Sequence, residues 1–491
     1  MSPHIDTENG VNGHEPVPEL VPAVPGPVST PSVAPEPTAR QFPKSTYLKP
    51  APEDAVLDLL GVGFGPACIS IACALHDTLE KGKLPAQPNV LFLEKQSEFN
   101  WHAGMLLPGT KMQISFIKDL ASLRDPRSNF TFLNYLHKND RLLDFINLNT
   151  FTPARAEYED YLRWCARHFD DVVHYQTEVV SITPVEADRP AKTFEVTARD
   201  LRTGAVKTYR AKNVVVALGG QGYLPEVFPR NHPRIIHSSQ FAYTVPKLLA
   251  DRNAPYRIAV VGGGQSAAEI FMNLQNTYPN CKTYMVVRAD FLRPSDDSPF
   301  INGIFNPEFI ETFYPQSSAS RARLLADAKA TNYSVVRLEL IEALFEVMYH
   351  QKRTLGSDER VWPHRILSGR HILSVEDSPN GGVHLKLEGG AGNDGPVEEI
   401  EVDMVVCATG YERKAHLELL KGVYNLLPEV DGSKLSEAER KDRWVVETGK
   451  GSTTTSRVMQ VGRDYAVRFA EQAVAPGSGV WLQGCNEATH G

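Results

Sequence analysis

The chain has 491 residues, a formal net charge of -8 and 42% hydrophobic residues. This length predicts two or three domains with an ordinary globular composition. The acidic balance and the lack of a long basic run argue against a nucleic-acid surface. No apolar run reaches the roughly 18 residues that a membrane-spanning helix needs, so we expect no membrane partner.

The cysteines and the N-terminal segment lead to two further expectations. The six cysteines are scattered and form no CxxC pair. We therefore expect reduced thiols in a cytoplasmic protein, with no disulfide framework and no metal site. The N-terminus lacks a secretory signal. Residues 1–50 are rich in Pro, Val, Ser and Glu without apolar periodicity, which predicts a disordered tail.

Two glycine-rich turns follow in chain order. The first, at 61–66, reads Gly-Val-Gly-Phe-Gly-Pro, and the second, at 262–267, reads Gly-Gly-Gly-Gln-Ser-Ala. Each comes after an apolar, strand-like run and opens a helix-like stretch. Glycines let the backbone approach a pyrophosphate, and the helix N-terminus supplies amide donors to it. Two such units predict two bound dinucleotides, and hence redox chemistry.

The residue that ends the next strand distinguishes the two cofactors. Glu94 ends the strand after the first turn, and a carboxylate there accepts hydrogen bonds from ribose hydroxyls. Arg288 ends the strand after the second turn, and a guanidinium there favours a 2′-phosphate. We therefore expect FAD or NAD at the first site and NADP(H) at the second. The alternative is that both are ordinary solvated charges.

A third element comes late in the chain. The apolar run 403–407 leads into Ala408-Thr409-Gly410-Tyr411, followed by His416. A buried strand that ends in this tight turn is expected beside a cofactor. The alternative is a strand with an unremarkable glycine turn.

With these three elements, the chain resembles the microbial N-hydroxylating flavin monooxygenases, and most closely the L-ornithine N5-monooxygenases of hydroxamate siderophore biosynthesis. The stretches 111–119, Lys-Met-Gln-Ile-Ser-Phe-Ile-Lys-Asp, and 330–334, Ala-Thr-Asn-Tyr-Ser, match the ornithine enzymes specifically. The resemblance runs from about 55 to 491, with Cys407 standing where the pattern usually has Leu or Phe.

The resemblance implies an α/β fold with two Rossmann-like dinucleotide-binding domains, for FAD and NADPH, and a small, mainly helical substrate region. We expect a disordered tail at 1–50, the FAD domain at 51–252 and 395–491, and the NADPH domain with the interleaved helical region at 253–394. The resemblance also implies that the protein is a homotetramer in the cytoplasm. The implied reaction is NADPH- and FAD-dependent hydroxylation of the side-chain amine of L-ornithine by O₂ through a C4a-hydroperoxyflavin.

The resemblance also assigns site residues. Those implied to bind FAD are Gly61, Gly63, Gly65, Pro66, Glu94, Lys95, Trp101, His102, Met112, Gln113 and Val179. Those implied to bind NADPH are Gly262, Gly263, Gly264, Gln265, Ser266, Arg288, Asn332, Tyr333 and Ser334. Asn332 would also position the substrate, although the flavin performs the chemistry. Lys118 and Asn302 would bind the amino acid.

Lys118 also has a physical argument of its own. It is a cation in the largely apolar segment 114–123, and a buried lysine needs an anion such as a substrate carboxylate. The alternative is a lysine whose stem is covered and whose ammonium reaches solvent. Asn302, without the resemblance, is more often a loop-capping residue.

Three rival functions remain. A lysine N6-hydroxylase differs by one methylene of substrate length, which is worth only about 1–3 kcal/mol of discrimination. A disulfide reductase would need a cysteine pair near the flavin. The family usually continues past Thr-His-Gly with a helical segment that covers the flavin, whereas this sequence stops at Gly491. This leaves an uncoupled NADPH oxidase or a nonenzymatic redox sensor as alternatives.

Overall fold

The structure, a computed structural model, describes residues 43–185, 190–389, 396–449 and 454–490, except for the side chains of Ala330, Asn332, Lys441 and Asp442. The strands within these residues are β1 Leu57–Val62, β2 Val90–Leu93, β3 Val173–His174, β4 Thr177–Pro184, β5 Phe194–Asp200, β6 Val206–Val216, β7 Gln221–Gly222, β8 Ile235–His237, β9 Arg257–Val261, β10 Lys282–Val286, β11 His364–Leu367, β12 Arg370–Asp377, β13 Val383–Gly389, β14 Val397–Val402, β15 Met404–Cys407, β16 Tyr411–Glu412, β17 Trp444–Thr448, β18 Thr455–Val461, β19 Val467–Arg468 and β20 Gly479–Leu482. The helices are α1 Pro66–Glu80, α2 Phe132–Lys138, α3 Leu142–Asn147, α4 Arg155–Arg167, α5 Phe241–Leu248, α6 Gln265–Thr277, α7 Phe309–Phe313, α8 Ser318–Asn332, α9 Leu338–Leu355, α10 Ala415–Leu419, α11 Glu437–Asp442 and α12 Glu487–His490.

The first sheet contains the first glycine-rich turn. Its strand order is β3-β2-β1-β6-β5-β4, and β20 pairs with β6 in parallel. The strand β2 is apolar on both faces: Val90 and Phe92 pack into the core that contains α1 and α4, whereas Leu91 and Leu93 pack into the core on the other side. A parallel strand covered on both faces needs this continuous apolar run.

The second sheet contains the second turn and is parallel throughout, in the order β11-β10-β9-β15-β8. The helix α6 packs on it through Ala267, Ile270 and Phe271, all fully buried. Two of its strands, β8 and β15, lie outside the segment 253–394 that the sequence indicates for this domain. Pairing between distant strands decides this boundary, and no local pattern reveals it.

The start of the described chain differs from the expected tail. Residues 1–42 lie outside the described residues, but the prediction of disorder is wrong for 44–50. Leu48 is 2% exposed and belongs to the first core, and Ser45 donates its backbone N–H to His168 O over 2.7 Å. The hydroxyl of Ser45 also hydrogen-bonds His76 Nδ1 at 2.8 Å. One buried apolar side chain and two hydrogen bonds therefore order this segment, although the neighbouring sequence is rich in proline.

The helical region between β10 and β11 agrees with the sequence pattern. The helix α8 ends at Asn332, and α9 begins at Leu338. The residue after α8, Tyr333, is extended with a φ of -123°, and Ser334 then has a left-handed φ of 55°.

Candidate cofactor and substrate sites

The first glycine-rich turn leaves open space in front of α1. Gly63 has a φ of +89°, and a Cβ there would lie 2.5 Å from the carbonyl oxygen of Ala217. At Gly65, which begins the helix, no described heavy atom lies within 4 Å of an added Cβ. The helix start has no side-chain cap among the described residues and no acidic residue in its first turn. Its amide groups are thus free to bind a phosphate.

Glu94 lies directly beside this turn. Its side chain is buried, and its carboxylate accepts hydrogen bonds from Phe64 N at 2.7 Å and Gln96 N at 2.8 Å. Its backbone oxygen accepts from Thr177 N, which starts the strand that carries Val179. The turn, the carboxylate and the start of β4 are therefore brought together, in an arrangement that fits the adenosine half of FAD.

The second glycine-rich turn has the same arrangement as the first. Gly262 has a φ of +141°, and a Cβ there would lie 2.4 Å from Ala408 O. Gly264 begins α6, again without a side-chain cap among the described residues or an acid in the first turn. An added Cβ at Gly264 would lie 3.3 Å from Ser334 Cα, so Ser334 lies against this turn. The arrangement fits a second pyrophosphate, with the segment after α8 alongside.

Gln265 has a different role from the one the resemblance implies for its side chain. Its Oε1 accepts from Arg337 N at 2.9 Å, and its Nε2 donates to Glu269 at 2.9 Å. The side chain therefore joins α6 to the start of α9. Contact with a phosphate is left to the backbone N–H of Gln265.

Arg288 lies two residues after β10, at the same edge of the sheet as the second turn. Its side chain is exposed, and in the described part of the chain its guanidinium has no hydrogen-bond or ion-pair partner. A free guanidinium at this position fits a 2′-phosphate, whereas the equivalent Glu94 is buried and occupied by amides.

The loop 101–105 lies between the two sheets, and we call it the flavin-side loop. Trp101 and His102 stack edge to face at 5.2 Å, and His102 has a left-handed φ of 48°. Desolvation, with Arg155 and Arg413 nearby, lowers the pKa of His102, so the imidazole is neutral at physiological pH. Its ring lies 5.7 Å from that of Tyr411, in the late Ala-Thr-Gly-Tyr element.

The other implied FAD residues differ in exposure. Met112 is 6% exposed and belongs to the first core, so it contacts the protein interior. Gln113 and Lys95 are exposed. Pro66 is the first residue of α1, where the missing N–H of proline leaves no helical bond unmade.

Lys118 lies on a loop that Asp119 organises. The Asp119 carboxylate accepts from Ala121 N at 2.9 Å and from Phe132 N at 2.7 Å. The Tyr158 hydroxyl donates to the carbonyl oxygen of Lys118 at 3.3 Å. Lys118 itself is half-buried, and its ammonium has no hydrogen-bond or ion-pair partner among the described residues. A half-buried, unpaired cation on a fixed loop suits a ligand carboxylate.

Four residues to which the resemblance assigns a role remain, and the structure describes their side chains in different detail. Asn302 donates its Nδ2 to Asp297 O at 3.0 Å, so its side chain caps its own loop as the alternative predicted. Tyr333 is 42% exposed. Partial burial and the nearby Glu487 carboxylate raise the pKa of its phenol to about 12. Ser266 lies in the first turn of α6, and the side chain of Asn332 lies outside the described part of the structure.

The sequence did not indicate the contacts that join the two sheets with their helices. Arg155 on α4 makes a bidentate ion pair with Glu269 on α6, at 2.9 and 3.0 Å, with both side chains largely buried. It also donates to Met105 O in the flavin-side loop at 3.2 Å. No local motif marks this ion pair, because Arg155 and Glu269 are 114 positions apart in the sequence.

No group of three or more His, Cys, Asp or Glu side chains in the described ranges could hold a metal ion. All six cysteines are free thiols, and five of them are buried. None of the described helices is both long and apolar enough to cross a membrane.

Two dinucleotide turns without a side-chain cap in the described residues, one on a mixed sheet beside a carboxylate and one on a parallel sheet beside a free arginine, define an oxidoreductase that uses a flavin and a nicotinamide nucleotide. The comparisons narrow this class. The family described as L-lysine 6-monooxygenase/L-ornithine 5-monooxygenase matches residues 55–413. The chain belongs to this family and is a flavin-dependent monooxygenase that uses FAD and NADPH.

Three relatives show how extensive the similarity is. An L-ornithine N(5)-monooxygenase of Beauveria bassiana is 51% identical, over 100% of this chain and 95% of the relative. The solved ornithine hydroxylase of Pseudomonas aeruginosa is 36% identical with a TM-score of 0.75, over 89% of this chain and 94% of the other. An ornithine N-hydroxylase of Kutzneria sp. 744, solved with reduced FAD, NADP⁺ and L-ornithine, is 29% identical with a TM-score of 0.74, again over 89% and 94%.

Proposed function

We propose that this protein hydroxylates the side-chain amine of L-ornithine to N5-hydroxyornithine, using NADPH and O₂, as the first step of hydroxamate siderophore biosynthesis. The observation that carries the substrate assignment is Lys118, a half-buried ammonium without a protein partner on the loop that matches the ornithine enzymes. The relatives from Beauveria bassiana and Pseudomonas aeruginosa, 51% and 36% identical to this chain, are both named for action on ornithine.

Different residues of the chain bind FAD and NADPH. The amides at the start of α1 hold the FAD pyrophosphate, and the Glu94 carboxylate accepts from its ribose. The amides at the start of α6 hold the NADPH pyrophosphate, and Arg288 pairs with its 2′-phosphate. When bound, FAD takes a hydride from NADPH and supplies activated oxygen to the substrate amine.

The substrate binds through its anionic α-carboxylate and reacts through its neutral side-chain amine. Lys118 binds the α-carboxylate of ornithine. The side-chain amide of Asn302 donates one N–H to Asp297 O and offers its second N–H to the same amino acid. The side-chain amine must be neutral to accept oxygen. Since the pKa of a free alkylamine of this kind is about 10.4, we expect turnover to rise as the pH becomes mildly alkaline.

The test follows product as well as NADPH. We expect N5-hydroxyornithine to form with ornithine and O₂ in near-equal amount to the NADPH consumed, and much less hydroxylated product with lysine. Because one methylene discriminates by only about 1–3 kcal/mol, the two substrates must be compared by kcat/KM. Faster hydroxylation of lysine would contradict the substrate assignment. NADPH oxidation that yields only hydrogen peroxide would contradict the reaction.

We also propose a cytoplasmic homotetramer. The six free thiols support the location, since a reducing compartment keeps cysteines unpaired. Cell fractionation tests the location, and analytical ultracentrifugation tests the assembly. A dimer or monomer at micromolar concentration would contradict the assembly.

A further inference from the structure

The two sheets are connected by two crossings of the chain that pair with each other. The first crossing runs from β6 to β8 and contains β7, and the second leaves β15 and contains β16. The strands β7 and β16 are antiparallel, with Tyr411 opposite Gly222. Tyr223 N donates to Gly410 O at 2.9 Å, and the Thr409 hydroxyl donates to Tyr223 O. We call this two-stranded connection the linker ribbon, residues 220–223 and 409–412.

His237, the last residue of β8, touches both strands of the linker ribbon. It is 4% exposed. Its Nε2 lies 2.8 Å from Gly410 O in the second crossing. Its ring packs so closely on the first crossing that a Cβ on Gly222 would lie 2.5 Å from its Nδ1. One buried imidazole thus fastens the two covalent connections between the sheets.

The hydrogen bonds of His237 define its tautomer. Gly410 O can only accept, so Nε2 carries the proton and donates it. Ser239 N can only donate, and it lies 3.2 Å from Nδ1, so Nδ1 is the unprotonated acceptor. The ring is therefore neutral with both nitrogens satisfied. Burial lowers the pKa of His237, in agreement with this neutral form.

The segment that His237 holds lies against the NADPH turn and against the flavin-side loop. Gly410 belongs to the turn whose Ala408 O lies 2.4 Å from an added Cβ on Gly262, in the NADPH turn. On the other side, the Tyr411 ring lies 5.0 Å from that of His237 and 5.7 Å from that of His102 in the flavin-side loop.

A second contact joins the surroundings of His237 to the flavin-side loop. An added Cβ on Gly104 would lie 1.7 Å from Ser239 O, two residues after His237. The backbones of the two segments are therefore in direct contact, and a shift of residues 237–239 must displace the flavin-side loop.

We propose that His237 is a positioning residue for hydride transfer from NADPH to FAD: by holding Gly410 and Tyr411, it keeps the NADPH turn and the flavin-side loop in register. Hydride transfer depends steeply on the separation of donor and acceptor, and a misplacement of about 1 Å can cost about 100-fold in rate. The proposal rests on FAD and NADPH as cofactors and is independent of ornithine as substrate.

Two polar substitutions separate positioning from general stability. In His237→Gln the amide can occupy the place of Nε2–H and donate to Gly410 O. In His237→Asn the shorter amide reaches only the place of Nδ1 near Ser239. We expect His237→Asn to slow anaerobic flavin reduction by NADPH at least about tenfold, and His237→Gln to stay within about threefold of the parent. The dissociation constant of NADPH and the FAD content should change little in both.

A matched control is His168, which is also 4% exposed and also hydrogen-bonded to a backbone carbonyl, but contacts neither crossing among the described residues. We expect His168→Asn to lower the melting temperature and leave the rate of flavin reduction in the folded, FAD-bound enzyme unchanged. If His237→Asn does not fold, Tyr411→Leu on the exposed side of the ribbon provides the second test and should slow flavin reduction at unchanged NADPH affinity.

Several results would overturn the proposal. One is flavin reduction at the parent rate in His237→Asn, or in Tyr411→Leu when that is the variant that folds. Another is equal slowing in His237→Gln and His237→Asn, and a third is equal slowing in His168→Asn. Because flavin reduction is measured without ornithine or O₂, the failure of ornithine hydroxylation would leave these outcomes unaffected.

Discussion

Arg288 and Glu94 follow equivalent strands of the two sheets but carry opposite charges in different surroundings. Glu94 is buried and accepts two backbone amides, whereas Arg288 is exposed and has no partner in the described ranges. From this contrast we propose Arg288 as the side chain that distinguishes NADPH from NADH, because the two nucleotides differ only in the 2′-phosphate.

Replacing Arg288 with Ala tests this role. We expect the KM for NADPH to rise at least about tenfold and the KM for NADH to change little, since a charge-assisted pair with a phosphate is worth about 1.5–3 kcal/mol. Lys282→Ala is the control, because Lys282 is exposed at the opposite end of the same strand. Equal loss of both nucleotides would show that Arg288 does not contact the 2′-phosphate.

The ammonium of Lys118 has no hydrogen-bond or ion-pair partner in the described ranges, and we propose that it binds the carboxylate of ornithine. We expect Lys118→Ala to weaken ornithine binding by about 2–5 kcal/mol, the effect of removing one partner of a desolvated charge pair. Flavin reduction by NADPH should persist at the parent rate. Lys111→Ala is the control, since Lys111 is exposed in the same segment. Normal ornithine affinity in Lys118→Ala would contradict the assignment.

At the scale of the element, the β1–α1 turn contains glycines with different physical requirements. Gly63 needs its left-handed φ of +89° and close approach to Ala217 O. Gly65 has an ordinary φ of -84° and open space around it. The fold therefore explains Gly63, whereas the open space at Gly65 leads us to expect a bound group next to the helix.

This difference predicts two distinct phenotypes. Gly65→Ala should leave the melting temperature of the FAD-free protein nearly unchanged and reduce FAD binding at least about tenfold, since the added methyl group enters the space of the pyrophosphate. Gly63→Ala should lower the melting temperature itself, because the Cβ meets a backbone carbonyl at a positive φ. The measurements are thermal denaturation without FAD and titration with FAD. Parent-like FAD affinity in Gly65→Ala would show that no phosphate lies there.

At the scale of the whole molecule, the two sheets are held together by the linker ribbon and by the ion pair of Arg155 and Glu269. The exposed fractions of these two side chains are 14% and 6%. Removing one partner of such a pair leaves an uncompensated buried charge, which costs about 3–5 kcal/mol.

We therefore expect Glu269→Ala to lower the free energy of unfolding by about that 3–5 kcal/mol, measured by denaturant titration with FAD absent. Glu418→Ala is the control: its ion pair with Lys421 is on the surface, with exposed fractions of 77% and 62%, and such pairs contribute little. If the two variants lost equal stability, the pair between α4 and α6 would not be a special contact between the sheets.

Local sequence determined the two nucleotide turns, because a strand, a glycine pattern and a helix follow each other within about 20 residues. The charges at Glu94 and Arg288 were predictable for the same reason. The family, confirmed by the match over 55–413, was also readable from such short segments.

Only the tertiary structure decided which distant groups meet. The sequence could not indicate that β8 and β15 pair in the second sheet, that residues 44–50 pack on the first core, or that His237 bonds Gly410 across 173 positions. Gln265 is a further case, since its side chain accepts a hydrogen bond from the backbone of Arg337. A local pattern specifies which conformations a segment prefers, whereas long-range pairing depends on burial and hydrogen bonding that exist only after the two sheets have assembled.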